Sequence, residues 1–169
     1  MAKRQISPIR GPRVRLRVLE EADLPMTREW RNQDHIRRWF IYSAVITPEQ
    51  HWRWFARYAQ RDDDFVFVIE ETQNLQKPIG QISLYNIEWA RGRAEYGRLL
   101  IGEAAAGGKG LAREATQLLL AYAFEQLGLK EIELEVFSTN AAAIAIYCSC
   151  GFRKISESNG LQKMIKVVR

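Results

Sequence analysis

A glycine-rich segment, Gly107-Gly108-Lys109-Gly110-Leu111-Ala112, constrains the fold of this chain more than any other sequence feature. It follows the alternating segment 93–101, which predicts a strand, and opens a helix predicted over about residues 108–127. The first amides of a helix lack internal acceptors, and the helix dipole favours anions beside them. The segment is neither a Walker loop nor G-x-G-x-x-G. By itself it predicts a strand–turn–helix unit, whose turn either only redirects the chain or binds an anion such as pyrophosphate.

The order of the other patterned segments predicts a mixed α/β sheet. Alternating or continuously apolar segments predict strands, and Thr47 followed by a proline predicts the start of a helix. The predicted strands are 13–19, 65–69, 79–87, 93–101, 131–136 and a final pair after residue 151; the predicted helices are 20–30, 108–127, 140–150 and one from residue 47. Antiparallel strands followed by strand–helix–strand units imply one sheet flanked by helices.

The length and cysteine content of the chain fit one metal-free domain. A chain of 169 residues can bury a core without disulfides, so we expect a single domain over residues 1–169. Cys148 and Cys150 are two residues apart and point to different sides of a helix, and no histidine lies near them to complete a zinc site. The sequence has no run of eighteen apolar residues and no apolar signal core after its basic start. We therefore expect a cytoplasmic protein with no membrane partner.

Basic residues are concentrated at the N-terminus. Residues 1–17 contain six basic residues and no acid, whereas the other 152 residues contain 19 basic and 20 acidic residues. A nucleic-acid-binding domain more often carries its basic face on the folded body. We therefore expect residues 1–12 to form a solvated basic arm, and we do not expect a nucleic-acid partner.

A second motif lies on the last predicted helix, where Asn140 to Phe152 reads N-x-x-A-x-x-x-Y-x-x-x-G-F. Asn140 suits an N-cap, and Ala143 and Tyr147 share one helix face. The two motifs, in this order, resemble those of the GNAT superfamily of N-acetyltransferases over most of the chain. That family pairs an acetyl-CoA loop, [Q/R]-x-x-G-x-[G/A], with the same second motif. The resemblance implies an α/β GNAT fold, in which a mixed, mostly antiparallel sheet has a central parallel strand splay and flanking helices.

The resemblance also implies that acetyl-CoA is the co-substrate, bound in the splay without a metal. It implies that the backbone at the end of the strand 93–101 contacts the thioester oxygen. The implied cofactor contacts are Leu99, Leu100, Ile101, Gly107, Gly108, Lys109, Gly110, Leu111, Ala112, Asn140, Ala143 and Tyr147. The chain departs from the family at Gly107, which stands where Gln or Arg is usual. We therefore expect the loop amides to hold the pyrophosphate largely alone.

Two catalytic roles follow from the resemblance. Tyr147 matches the family's general acid, and a phenol is protonated at neutral pH. Glu95 lies in the A-E-x-G pattern that places a carboxylate near the acceptor in related enzymes; a surface carboxylate on a strand is an equal alternative. His35 and His51 are further candidates for the base, although a lone histidine more often packs or faces solvent.

The acceptor region is predicted from the segment Trp30-Arg31-Asn32. It resembles the W-R-N segment of a GNAT branch that acetylates UDP-linked amino sugars and adjoins the ribosomal-protein and antibiotic acetyltransferases. Residues 28–61 contain seven arginines and four tryptophans, and arginine forks suit phosphates while aromatic faces suit a base or sugar ring. A tryptophan core with solvated arginines explains the same composition.

The predicted reaction is acetyl transfer to a primary amine, with a nucleotide-linked amino sugar as the first candidate acceptor. A protein N-terminus and an antibiotic or other small-molecule amine remain alternatives; polyamines fit less well, because they prefer acidic surroundings. The alternative from another class is a CoA-binding regulator without catalysis, against which the presence of Tyr147 argues. We expect a monomer or a homodimer.

Overall fold

The computed structural model describes residues 2–168, which form one eight-stranded sheet with helices on both faces. The strands are β1 (Ile9–Arg10), β2 (Val14–Val18), β3 (Phe65–Glu71), β4 (Lys77–Glu88), β5 (Arg93–Ile101), β6 (Glu131–Phe137), β7 (Arg153–Ser158) and β8 (Leu161–Val167). The helices are α1 (Leu24–Asn32), α2 (Asp34–Arg37), α3 (Pro48–Tyr58), α4 (Leu111–Glu125) and α5 (Ala141–Ser149), with 3-10 turns at Glu21–Asp23 and Ala104–Ala106.

The strand order across the sheet is β1-β2-β3-β4-β5-β6-β8-β7. Only the β5–β6 pair is parallel, and all other neighbours are antiparallel. The predicted mixed, mostly antiparallel α/β sheet is therefore confirmed.

The two faces of the sheet are covered by different helices. Phe65, Phe67 and Ile69 of β3 lie in the larger core, with side chains of α4 and α5. Val66 and Val68 point to the other face and pack with side chains of α1 and α3. Because alternate residues of a strand point to opposite faces, burial of both faces explains why β3 is apolar throughout.

The parallel strands β5 and β6 separate along their length. They pair only where residues 93–95 lie opposite residues 131–133, whereas β6 pairs with β8 along its whole length on its other side. On its other side, β5 shifts register against β4 near Arg98, whose φ is +54°. Such a φ is uncommon for a residue other than glycine, and a bulge bends its strand and re-aims backbone groups. The strands thus open a gap in the middle of the sheet.

The N-terminal segment packs against the fold instead of forming the expected solvated arm. The Lys3 ammonium donates to the carbonyls of Tyr58, Arg61 and Asp64. Arg4 pairs with Asp62 at 2.9 Å, and β1 adds an edge strand to the sheet. Lys3 and Arg4 therefore use their charges in contacts within the chain.

Helix boundaries follow local capping chemistry. The Thr47 side chain accepts from the Gln50 amide and starts α3, as predicted. The long helix was predicted from Gly108 but begins at Leu111, because Gly108 and Gly110 have φ values of +72° and +75°. Those left-handed conformations suit glycine and do not continue a right-handed helix.

No sequence pattern predicted β1 or α2, which are two and four residues long. Periodicity needs a longer window to be recognised. The cysteines are free, as expected, with Cys148 exposed and Cys150 buried. No helix within residues 2–168 combines the length and apolar character that a membrane span requires.

Candidate active site

The gap between β5 and β6 opens into a cavity of about 400 Å³. Both strands line it, together with α5 and the segment from α2 to the chain that follows it. Of the residues predicted from the sequence, it brings together Leu99, Leu100, Ile101, Asn140, Ala143, Tyr147 and Arg31. The end of β5 and the second motif, about forty residues apart in the sequence, therefore meet at one cavity, whereas the predicted loop residues Gly107 to Ala112 do not line it.

The glycine-rich loop presents unpaired backbone donors at the start of α4. The amides from Gly108 to Arg113 make no hydrogen bond to other described residues, and no side chain caps the helix. Arg13 braces the loop, because its guanidinium donates to the Lys109 carbonyl at 2.9 Å and to the Glu114 carboxylate at 2.7 Å. Free amides at a helix N-terminus can bind a phosphate group. Gly107 itself has an ordinary φ of −69° and its amide bonds Ala104.

Tyr147 lies on α5 with its ring fixed between two other aromatic rings. Tyr96 contacts it edge-on at 5.6 Å and Phe152 at 6.0 Å between ring centroids. The Tyr147 hydroxyl has no hydrogen-bond partner in the described part of the chain, and it lines the cavity. Burial raises the pKa of Tyr147 well above its usual value, so the hydroxyl is a proton-bearing donor at neutral pH.

Asn140 caps α5, because its side chain accepts from the Ala143 amide at 3.3 Å. The cap fixes the start of the helix beside the cavity. It therefore links the predicted second motif to the position of Tyr147, about two turns after the cap.

The backbone of β5 past Glu95 no longer pairs with β6. The backbone groups of Leu99 to Ile101 on the side of β6 therefore line the cavity and have no strand partner on that side. A backbone amide presented in this way can donate to a carbonyl oxygen that develops negative charge.

Two carboxylates flank the cavity in different ways. Glu135 of β6 lines it directly. Glu95 lines a smaller cavity of about 160 Å³ and lies opposite Tyr85 across β4 and β5. Burial first, and then the Glu95 charge, raise the pKa of Tyr85 to about 12. Tyr85 lines the larger cavity, so Glu95 reaches it only through this phenol.

A second cavity of about 440 Å³ adjoins the first. Arg31, Phe40, Tyr42 and Arg98 line both cavities, so the two cavities adjoin at these side chains and together are referred to as the cleft. Arg98 pairs with the buried Asp64 at 2.7 Å. The second cavity extends along α3 under Trp54, away from the gap between the strands.

The three residues of the predicted W-R-N segment have different environments. Trp30 is buried against Gly102, where a Cβ atom would overlap its indole ring, and lines neither cavity. Asn32 lines neither cavity and bonds Ile46 twice at 2.8 Å, with its side-chain NH₂ on the carbonyl and its oxygen on the amide. Only Arg31 of this segment faces the cleft.

The two histidines also differ. His35 lines the first cavity and His51 the second. Burial, with smaller contributions from Arg28 and Arg31, lowers the pKa of His51 to about 4. His51 contacts the Thr27 hydroxyl at 3.1 Å and stacks on Trp54. It is therefore neutral at pH 7.

Some lining residues were not predicted from the sequence. Tyr85 and Glu135 occupy alternating positions on strands, where a functional side chain looks like any other outward-facing one. Arg98 reaches the cleft because of the bulge, which leaves no pattern in the sequence. Within residues 2–168, no group of three or more His, Cys, Asp or Glu side chains could hold a metal.

These features, a splayed sheet with free amides beside the gap, define a site suited to a CoA-type donor. A family model described as an acetyltransferase (GNAT) domain matches residues 13–153. The chain belongs to this family, and it is an acetyl-CoA-dependent N-acetyltransferase that acts on an amine. The predicted superfamily and co-substrate are thereby confirmed.

Two solved structures share the fold of this chain, and one curated relative is similar to it in sequence. Spermidine N-acetyltransferase from Vibrio cholerae, in complex with CoA and spermine, has a TM-score of 0.82 and 24% identity, covering 93% of this chain and 96% of its own. RimL, a ribosomal L7/L12 alpha-N-protein acetyltransferase in complex with CoA, has a TM-score of 0.82 and 16% identity, covering 96% and 98%. Alpha/beta-tubulin-N-acetyltransferase 9 of Mus musculus is 21% identical over 91% of this chain and 67% of its own length.

Proposed function

We propose that this protein acetylates the α-amino group of a peptide or protein. One observation carries the choice of acceptor: the cationic side chains along the second cavity are Arg31, Arg57 and Arg98, with no carboxylate among its lining residues within the described chain. A polyamine would meet like charges there. A peptide N-terminus brings a single amine, together with carbonyl and carboxylate oxygens that arginines bind well.

The shape of the cleft and two of the three relatives support the same acceptor, whereas the third is named for spermidine. Ile41 and Tyr42 at its rim are 69% and 57% exposed, and an exposed apolar rim suits an extended ligand with side chains of its own. The mouse relative is named for tubulin and RimL for a ribosomal protein. Both are proteins, although the identities are low.

Acetyl-CoA would be held mainly by backbone groups. We assign the pyrophosphate to the free amides from Gly108 to Arg113 and the thioester oxygen to the backbone between Leu99 and Ile101. Asn140 and Ala143 would fix the start of α5 beside the pantetheine arm. Gly107 offers no side chain at the position where the family motif usually has Gln or Arg.

Tyr147 would act on the sulfur that leaves when the amine attacks the thioester carbonyl. A thiol titrates near ~8.5, and the raised pKa of Tyr147 makes its phenol the weaker acid. Tyr147 is therefore assigned to stabilise the departing thiolate by donating a hydrogen bond, with little net proton transfer from the phenol itself.

The amine proton would leave toward the acidic side of the cleft. Glu135 lines the first cavity, and Glu95 is connected to it through Tyr85. An α-amino group titrates near ~8, so a large fraction is already neutral at pH 8. The base therefore contributes less to the rate than it would with a lysine side chain as the acceptor. Turnover of the single variants Glu95→Gln and Glu135→Gln should show which of the two carboxylates takes the proton.

A nucleotide-linked amino sugar is a second candidate, favoured by one specific observation. The second cavity combines arginines with the aromatic rings of Phe40, Tyr42 and Trp54, and these residue types bind phosphates and flat rings. The peptide ranks first, because two of the three relatives described above are named for a protein acceptor and none of the three for a nucleotide sugar.

The test is CoA thiol release from acetyl-CoA with a panel of acceptors at equal concentration. The panel contains peptides with a free N-terminus, the same peptides with a blocked N-terminus and one lysine, spermidine and a UDP-amino sugar. The proposal predicts turnover only with free N-termini and a kcat/KM that rises with pH to a plateau near pH 8. Turnover confined to spermidine, to the UDP-amino sugar or to the lysine peptide would overturn it.

A further inference from the structure

Arg31 is a buried cation at the centre of the cleft with no partner of opposite charge. It is 8% exposed, and one terminal nitrogen, Nη1, is fully buried with no hydrogen-bond partner in residues 2–168. The other, Nη2, donates only to the Tyr42 carbonyl. Burial lowers the pKa of Arg31, but an arginine keeps its charge in proteins.

Two other arginines that are partly withdrawn from solvent, Arg17 and Arg98, are paired with carboxylates. Arg17 binds Asp23 at 2.8 Å, and Arg98 binds Asp64 at 2.7 Å. Arg31 is more deeply buried than either, and no described carboxylate lies within 4 Å of it. Because an unpaired buried charge is costly, the folded protein holds this guanidinium at the expense of stability.

The position of Arg31 connects it with the acceptor. It lines both cavities, so it lies between the space beside Tyr147 and the space along α3. Its guanidinium stacks on the Phe40 ring at 3.7 Å. The neighbouring residue Trp30 is buried against Gly102, and Asn32 ties the following loop at Ile46. The guanidinium is thus held in one orientation with a free donor.

We propose that Arg31 binds a carboxylate of the acceptor, so that the enzyme selects peptides with an acidic side chain among their first few residues. This inference rests on the proposed function and narrows its substrate class. A planar guanidinium matches a carboxylate, and the ion pair would give this buried cation the partner of opposite charge that it lacks. The phosphates of a nucleotide-linked sugar share this anionic chemistry and form a separate arm of the test.

The experiment compares peptides that differ only by Glu or Gln at the second residue. Charged hydrogen bonds have magnitudes that correspond to roughly 10- to 100-fold in binding, and we expect the wild-type protein to prefer the Glu peptide in kcat/KM by that amount. Arg31→Met should lower kcat/KM for the Glu peptide to the level of the Gln peptide and leave the Gln peptide within about threefold. Equal Glu-to-Gln ratios in the wild type and in Arg31→Met would overturn the proposal.

Arg28→Met is the matched control. Arg28 lies on the same helix and lines neither cavity, so this variant should keep the preference for the Glu peptide. Thermal melting separates recognition from a structural role. If Arg31 is a recognition residue, Arg31→Met melts at or above the wild-type temperature, because a buried unpaired charge has been removed. A lower melting temperature with equal loss on both peptides assigns Arg31 to the fold instead.

Failure of the peptide acceptor is a distinguishable outcome. If the wild type acetylates a UDP-amino sugar and no peptide, the proposed function fails. The proposal that Arg31 binds an anion of the acceptor then stands only if Arg31→Met removes the preference in kcat/KM for the UDP-amino sugar over the free amino sugar. Turnover confined to spermidine overturns both proposals, because spermidine carries no anion.

Discussion

The region that we assign to acetyl-CoA and the region that we assign to the acceptor differ in the atoms they present. At the glycine-rich loop, the available groups are backbone amides from Gly108 to Arg113 and the unpaired edge of β5. Along α3, they are side chains, with Arg31 and Arg98 at the junction of the two cavities. A backbone site requires particular backbone angles, so it restricts the residue types at a few consecutive positions. A side-chain site can change its ligand without altering the fold.

The largest effect is expected where the two regions meet, at Tyr147. Tyr147→Phe removes the hydroxyl and leaves the ring contacts with Tyr96 and Phe152. We expect turnover to fall by at least ~10-fold, since one hydrogen-bond donor to a developing negative charge typically contributes ~10²–10³-fold, while acetyl-CoA still binds. Steady-state thiol release measures turnover, and a melting shift with acetyl-CoA measures binding.

Tyr122→Phe is the control for this change, because Tyr122 lies on α4 and lines neither cavity. It should keep wild-type turnover. Unchanged turnover in Tyr147→Phe would remove the phenol from the mechanism.

A change of intermediate size is expected in the backbone site. Gly110→Ala places a side chain at φ +75°, and Gly160→Ala does the same at φ +76° in the β7–β8 turn. Both should lower the free energy of unfolding by roughly 1–2 kcal/mol. Only Gly110→Ala should also weaken acetyl-CoA binding, because it disturbs the free amides. Equal acetyl-CoA affinity in the two variants, measured by calorimetry, would show that the loop does not bind the cofactor.

Two helix caps allow the acetyl-CoA region and the acceptor region to be compared with one type of substitution. Asn140→Ala and Thr47→Ala each remove a side chain that accepts from a helix amide, and each should cost about 1 kcal/mol of unfolding free energy. We expect Asn140→Ala to raise the KM for acetyl-CoA and Thr47→Ala to raise the KM for the peptide. The reverse assignment, or the same KM change in both variants, would mean that the two regions are not independent.

The smallest effect concerns pH and the acceptor region. The pKa of His51 is about 4 in the folded protein, below its ordinary value of 6.5. The unfolded chain therefore binds the proton more readily, and His51 contributes stability above pH 6.5 that is lost as the pH falls toward 4. The melting temperature of the wild type should decrease over this range more steeply than that of His51→Gln. His35→Gln should follow the wild type, and identical slopes in all three proteins would contradict the buried, neutral His51.

The sequence predicted the acetyl-CoA region better than the acceptor region, for a physical reason. The left-handed angles at Gly108 and Gly110 and the cap at Asn140 are local requirements, so residue types at short spacing reveal them. The loop and the second motif were recognised in this way. The strand Arg93–Ile101 was also predicted with its observed limits.

The positions of the side chains in the acceptor region depend on packing and strand pairing, which leave no pattern in the sequence. Arg31 faces the cleft while its neighbours Trp30 and Asn32 support the fold, a distinction that follows only from packing. The bulge at Arg98 depends on pairing with β4. The N-terminal segment packs on the turn before β3 through contacts between residues more than fifty positions apart. The expected cytoplasmic location and monomeric or dimeric state stay predictions.

Thermal melting with two acetyl donors tests most directly whether the glycine-rich loop holds acetyl-CoA. Acetyl-pantetheine carries the same thioester but lacks the pyrophosphate. With acetyl-CoA at ~100 times its Kd, binding should add ~2.7 kcal/mol and raise the melting temperature by roughly 5–10 °C at this chain length. The account predicts a much smaller shift with acetyl-pantetheine at the same concentration. Equal shifts with both donors, or no shift with acetyl-CoA, would contradict it.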